Sequence, residues 1–342
     1  MLHNSLKILF TSTLLGGMLI TISSNSWLSA WMGLEINLLS FIPLMSNNDN
    51  IFTTEAALKY FLIQALASST LLFIILSKSL IESMFTIMNS SFTSIMISTP
   101  LLMKSGAAPL HWWFPSVMEG LSWNNCFILM TIQKIAPLIL ISYIINFNMF
   151  LTLIIMMSIM VGAIGGYNQT SIRKILTYSS INHMGWMLTA MMMGENMWTL
   201  YFLIYSMLTF TVIMIVYPFQ ISFINQTYLI NEDNKLMKFL LFTSLLSLGG
   251  LPPFLGFLPK WMIIQFMVSN WSMTIISLMV VFSLITLYYY LRISYSAFII
   301  LGDEPSWAYK NNENMKILTI SFISLSISMM GLIISTAFIN FY

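Results

Sequence analysis

The chain is 342 residues long, 58% hydrophobic and only 7% charged, whereas a soluble domain of this size carries about 25% charged residues. That places it in the membrane, and the near balance of 13 basic against 11 acidic residues leaves no basic face for nucleic acid. The single cysteine, Cys126, excludes an intrachain disulfide, a thiolate zinc site and an iron–sulfur cluster.

The chain opens "MLHNSLKILFTSTLLGGMLITISSNSW", with no clear small-residue cleavage site and a second apolar segment directly behind, which reads as a retained first helix. A span takes about 20 apolar residues. By that measure helices are expected at roughly 5–23, 26–45, 56–78, 92–118, 123–146, 149–166, 173–193, 197–219, 236–269, 272–298 and 315–338. The expected fold class is therefore an all-α polytopic membrane protein of about eleven spans. Polar punctuation such as "SNNDN", "NQTSIRK" and "GDEPSWAYKNNEN" separates them. An odd count puts the termini on opposite sides. Lys7, Arg173, Lys174, Lys235, Lys238, Lys310 and Lys316 then fall on the N-terminal side and Lys78 on the other, so the N-terminus should face the cytoplasm or matrix. Thirty methionines fill apolar runs without a repeated spacing, a coding bias rather than a metal device.

Two expected spans are overlong and interrupted. The fourth contains "LLMKSGAAPLHWWFP" and the ninth "LLSLGGLPPFLGFLPKWMIIQF". Proline removes a backbone donor and clashes with the preceding turn, so each helix must break. The freed backbone groups cannot face lipid and must line an enclosed or watery space. Each broken helix is fourth in a set of five. The expected organisation is therefore a first five-helix repeat over 1–147, a second over 148–298 and a loop with one further helix over 299–342. Because five is odd, the second repeat is inverted, the pattern of a transport site at mid-membrane.

Four charges sit deep in these spans: Glu35 in "WMGLEINLL", Lys104 in "LLMKSGAAP", Lys134 in "MTIQKIAPL" and Lys260 in "GFLPKWMII". A charge at the bilayer centre costs at least about 2.5–3.5 kcal/mol. One acid cannot neutralise three bases, which argues against ion pairs that merely join helices. A lysine whose carboxylate partner moves is a proton-loading switch. His183, in "SSINHMGW", lies mid-span in the helix corresponding to that of Glu35; it is either a helix–helix hydrogen bonder or a relay group. His111 is a candidate exit group after the first break, Glu55, Lys59 and Glu119 should reach the interface, and Trp112 and Trp113 read as packing residues. No nucleotide loop, haem ligand pair or metal cluster occurs.

The segments "SNSWLSAWMGLEINLLSFIPL", "EAALKYFLIQALAS", "LLMKSGAAPLHWWFP", "QKIAPL", "GAIGGYNQTSIRKILTYSSINHMGWM" and "LSLGGLPPFLGFLPKW" run in order along nearly the whole chain. Together they resemble the family of mitochondrially encoded subunit 2 of NADH dehydrogenase, respiratory complex I, in an arthropod-like version. The last forty residues match in character only. The resemblance implies an antiporter-like, proton-translocating subunit of the membrane arm, built as two inverted five-helix repeats with a discontinuous helix in each. It matches Glu35 and Lys104 to the family's glutamate–lysine pair, Lys134 to the connecting lysine and Lys260 to the lysine of the second broken helix. It also implies three fewer N-terminal helices than the full antiporter-like plan, and no cofactor in this chain: NADH, flavin, iron–sulfur clusters and ubiquinone belong to other subunits. The implied partners are other membrane-arm subunits, including NADH dehydrogenase subunits 4 and 4L, accessory subunits and lipids, cardiolipin among them. The implied place is the inner mitochondrial membrane, with the N-terminus in the matrix and the C-terminus in the intermembrane space. The alternatives are a stand-alone cation/proton antiporter of the same superfamily and a structural scaffold.

Overall fold

A computed structural model describes residues 2–47, 50–84, 90–145, 149–228, 235–269 and 273–299, with short pieces between 319 and 331. Its regular structure there is helical throughout, apart from an isolated antiparallel bridge between Ser171 and Phe223. Seven helices among the described residues are long and apolar enough to cross a membrane. The chain forms two compact units, Met1–Ile154 and Ile155–Tyr342.

In the first unit α1 (Leu2–Ile22) and α2 (Trp27–Met45) form a tight pair. A Cβ at Gly33 would stand 2.6 Å from the Thr21 methyl, so the two backbones touch through this glycine. The long α3 (Ile51–Met84) packs on α2, on α4 (Ser90–Ser105) and on α5 (Trp113–Gly120). The expected fifth span is present as Trp123–Ser142 but is interrupted. It divides into α6 (Trp123–Met130) and α7 (Ile132–Ser142) at Thr131, whose φ of -116° and ψ of -76° leave the helical path. Pro137, inside α7, has no N–H for the carbonyl of Gln133, and the helix is resumed after the break by the Lys134 amide donating to Thr131 O at 3.1 Å.

The second unit takes in most of α8 (Met149–Tyr167), followed by α9 (Ile172–Met191), α10 (Glu195–Phe219), a short α11 (Ile224–Tyr228), α12 (Lys235–Gly249), α13 (Phe257–Ser269) and α14 (Met273–Ile299). Helix α9 is buried along nearly its whole length, Ser179, Ser180, Asn182 and His183 included. That is the expected fate of so polar a helix in lipid, and it marks the centre of this unit. The eleventh expected span, 315–338, lies for the most part outside the described residues, as do Lys310 and Lys316. Of that stretch, the Ser328 carbonyl accepts a 3.0 Å hydrogen bond from the Leu255 amide.

Candidate functional site

The two interruptions are built alike. Helix α4 stops at Ser105 and α5 begins at Trp113, while α12 stops at Gly249 and α13 begins at Phe257, so each break spans seven residues. Gly106 (φ 76°) and Gly250 (φ 82°) provide the left-handed step that ends each first half, a conformation that a side chain would strain. The hydrogen bonds are those of a Schellman cap in both cases. Ala107 N–H reaches Leu102 O and Gly106 N–H reaches Met103 O; Leu251 N–H reaches Leu246 O and Gly250 N–H reaches Ser247 O. The Ala108–Pro109 peptide in the first break is cis.

A helix that ends inside a membrane protein leaves carbonyls that need donors. Side chains supply them. The indole of Trp113 donates to Met103 O at 3.1 Å, and the Gln64 amide donates to Lys104 O at 3.2 Å. In the second unit the Lys260 ammonium donates to Gly249 O at 2.9 Å. Trp113, expected to be packing, is therefore the group that completes the first break.

The negative end of a helix dipole favours a cation. Lys104 lies in the last turn of α4, so its own helix provides that end. Lys260 lies on α13, after the break, and reaches back across it to the end of α12. The two units thus put a lysine near the end of the first half-helix by different routes, and only the Lys260 ammonium bonds to a carbonyl there. Lys260 Nζ also stands 5.8 Å from the centre of the Trp186 ring, a cation–π contact.

In the first unit a cavity of about 20 Å³ is lined by Lys104, Lys134, Asn37, Gln64, Gln133 and Tyr60, among others. It is polar and large enough for a single water. A chain of side chains runs along it: Tyr60 donates to Gln133 Oε1 at 3.3 Å, and Gln133 Nε2 donates to Asn37 Oδ1 at 2.9 Å. Lys104 and Lys134 are both buried, at 7% and 2% exposure, and Lys134 Nζ lies 4.9 Å from the centre of the Phe114 ring. Lys104 Nζ is buried without a hydrogen-bond partner. Sequence reasoning overlooked Asn37, Gln64 and Gln133. Their signal was an isolated amide in an apolar run, as in "FLIQAL" and "MTIQK".

The direct Glu35–Lys104 ion pair expected from the sequence is not closed. Glu35 is half-buried, its Oε2 is enclosed without a hydrogen-bond partner, and its charge acts on Lys104 from beyond contact distance. The reason is angular: the cavity is lined by Leu34, Asn37 and Leu38 of α2, and Glu35 projects beside that face. His111 is buried, bonded through Nδ1 to Pro109 O at 3.2 Å and stacked on Trp112. At the start of α3, Lys59 pairs with Glu55 at 3.9 Å with both side chains more than half exposed, a contact of little energetic weight.

In the second unit His183 Nδ1 and the Tyr201 hydroxyl share a 2.8 Å hydrogen bond, and the Tyr205 ring lies 5.1 Å from the imidazole. Trp186 follows His183 by three residues on α9, so the histidine and the tryptophan beneath Lys260 share one helix face.

Residues 24–286 match the family model for the transmembrane segment of NADH:quinone oxidoreductases and Mrp antiporters. The chain is 53% identical to the NADH-ubiquinone oxidoreductase chain 2 of Anopheles gambiae, covering 95% of both chains. It is 48% identical to that of Locusta migratoria over 99% of this chain and 98% of the other. In fold it is similar to a chain of respiratory complex I from Thermus thermophilus, with a TM-score of 0.80, 23% identity and coverage of 95% of this chain and 78% of that one. A chain of the Mrp complex from Dietzia sp. is similar in fold too, with a TM-score of 0.78, 16% identity and coverage of 95% and 75%. Identity at that level over full length, on a helical fold broken twice beside buried lysines, means that the chain belongs to the NADH:quinone oxidoreductase/Mrp antiporter membrane family, among the NADH-ubiquinone oxidoreductase chain 2 proteins.

Proposed function

We infer that the chain is the proton-translocating, antiporter-like core subunit of the membrane arm of respiratory complex I in the inner mitochondrial membrane. It couples electron transfer from NADH to ubiquinone, carried out with its cofactors by other subunits, to proton pumping. The observation that carries this reading is the set of three buried lysines, Lys104, Lys134 and Lys260, two of them beside helix breaks of equal length and identical capping. Buried charge at that cost persists where protons or ions must pass.

Each group has a role that its surroundings support. Lys104 holds a proton at the end of α4 under the field of Glu35, and a closing or opening movement of the Glu35 side chain sets how firmly. Lys134 exchanges with Lys104 through the shared cavity, where Gln133, Asn37 and Tyr60 orient a water. Lys260 loads at the end of α12, and His183 is the titratable relay group of the second unit. The basic-residue asymmetry puts the N-terminus in the matrix and the C-terminus in the intermembrane space. The partners are the neighbouring membrane-arm subunits, with subunits 4 and 4L and cardiolipin expected at its flanks.

The test is proton release per NADH oxidised in proteoliposomes of the assembled complex, with Lys104, Lys134 and Lys260 each replaced by Met. The expected result is a reduced proton yield with the complex still assembled. Unchanged yields in all three would leave a structural scaffold. Recovery of the chain alone, exchanging a cation for protons, would identify a stand-alone antiporter.

A further inference from the structure

Lys260 is 6% exposed, and among the described residues its ammonium makes one hydrogen bond, to Gly249 O at 2.9 Å. A carbonyl dipole does not neutralise a full charge, and a buried cation is costly unless it is paired. In the first unit α2 carries a carboxylate, Glu35, next to the face that lines the cavity with Lys104. The second unit has no counterpart. Among its described residues the only acidic side chain is Glu195, exposed in the first turn of α10. What faces the Lys260 ammonium instead is the ring of Trp186, whose centre lies 5.8 Å from Nζ. The first unit contains a similar pairing, with Lys134 Nζ 4.9 Å from the centre of the Phe114 ring.

Trp186 is 1% exposed, and its Nε1 is buried without a hydrogen-bond partner. A buried indole N–H normally finds an acceptor, and leaving it without one is costly. Phenylalanine or leucine would be apolar there without that penalty. The indole therefore contributes through its face, the negative part of the ring quadrupole, which attracts a cation more strongly than the ring of tyrosine or phenylalanine. The neighbouring Gly185 sets where that face stands. A Cβ there would lie 2.5 Å from Ile159 Cγ1 and 2.6 Å from Ser158 Oγ, so the glycine lets α9 rest on α8 beside Trp186.

We propose that Trp186 is the counter-charge of Lys260, a positioning residue whose ring face holds the ammonium and takes on α9 the part that Glu35 takes on the corresponding helix α2. This deepens the function proposed above and rests on it. The ring stabilises the ammonium and does nothing for the neutral amine, so it biases Lys260 toward the loaded state. It exchanges no proton itself, because an indole N–H only donates. A cation–π contact is worth roughly three- to thirtyfold in that ratio, the upper figure applying where water is excluded. A carboxylate at about 4 Å and an effective dielectric of about 20 would be worth roughly a thousandfold. A carboxylate must therefore move before its lysine can unload. A ring holds the proton loosely enough for it to leave while the ring stays in place.

The experiment uses the assembled complex in proteoliposomes with Trp186→Leu, Trp186→Phe, Lys260→Met and the Trp186→Leu, Lys260→Met double variant. The rate of proton release during NADH oxidation and the thermal unfolding of the membrane arm are both measured. Trp186→Leu should slow proton release at least about threefold. Trp186→Phe, which keeps a ring face and drops the N–H, should retain most of it. In the Lys260→Met background, Trp186→Leu should slow release little further and lower the melting temperature by less than it does in the unaltered complex. Equal slowing in the Leu and Phe variants, or equal melting losses in both backgrounds, would show that Trp186 only fills space and would overturn the inference. Loss in Lys260→Met with unaltered release in Trp186→Leu also overturns it, and leaves the proposed function standing. Unaltered release in Lys260→Met overturns the proposed function at this site, and the inference with it. If Trp186→Leu fails to assemble, the double variant decides: assembly restored by Lys260→Met supports the pairing of ring and cation, and continued failure refutes it.

Discussion

Replacing Gly250 by alanine is a sharp probe of the second break, because the same change at Gly106 provides its control. Both residues have positive φ, 82° and 76°, and an L side chain in that region costs about 1–2 kcal/mol. The two sites differ in what the new methyl meets. At Gly250 it would stand 3.2 Å from both Cδ and Nζ of Lys260 and 3.3 Å from the Gly256 carbonyl. The backbone of Gly256 cannot yield easily, so the lysine tip must. A shift of a few tenths of an ångström strains its 2.9 Å hydrogen bond to Gly249 O, and a bond to a charged group is worth at most about 1.5–3 kcal/mol. At Gly106 the methyl meets Phe114 and Trp113 atoms at 3.5 Å, ordinary contact, and leaves Lys104 untouched. Gly250→Ala should therefore destabilise its unit by more than Gly106→Ala, up to about 2.5–5 kcal/mol against about 1–2 kcal/mol. Thermal unfolding of the assembled membrane arm measures the first difference. Proton release per NADH measures the second and should fall in Gly250→Ala alone. Equal effects of the two variants on pumping would refute the idea that Lys260 works from the end of α12.

Three further outcomes are expected. Glu35→Gln should impair redox-coupled proton release in a complex that still assembles, and Lys104→Met should do the same. At about 4 Å and an effective dielectric of about 20 the closed pair is worth roughly 4 kcal/mol, so the double variant should be little worse than either single, and strictly additive losses would point to two independent roles. Gln133→Leu should lower stability by about 1–3 kcal/mol, because it strands the amide of Asn37 and the hydroxyl of Tyr60, and it should slow pumping; a neutral effect on both would show that the amide chain does not order the cavity. Trp113→Phe removes the side-chain donor to Met103 O and leaves that carbonyl the Gly106 N–H alone, so a loss of about 0.5–1.5 kcal/mol is expected; an unchanged melting curve would mean that the Gly106 amide satisfies the carbonyl by itself.

The sequence by itself determined that the chain is a helical membrane protein, where two of its helices break and which three lysines are buried. Those properties are local: span length follows from a run of apolar residues, and a break follows from glycine and proline at particular positions. The break at Thr131 was not legible, since an unbroken apolar run spans it and α7 continues through Pro137. The tertiary structure alone decided which groups meet. The donors to the three freed carbonyls come from ten to forty residues away in sequence, and no spacing reveals them. The same holds for Gln133 with Asn37, separated by 96 residues, and for the Trp186 ring with Lys260. Nor could the sequence say that Glu35 stands beside the cavity face of α2 rather than on it, leaving the pair with Lys104 open. A helix position is an angle, and whether that angle meets a partner depends on how the neighbouring helices are rotated and tilted against it.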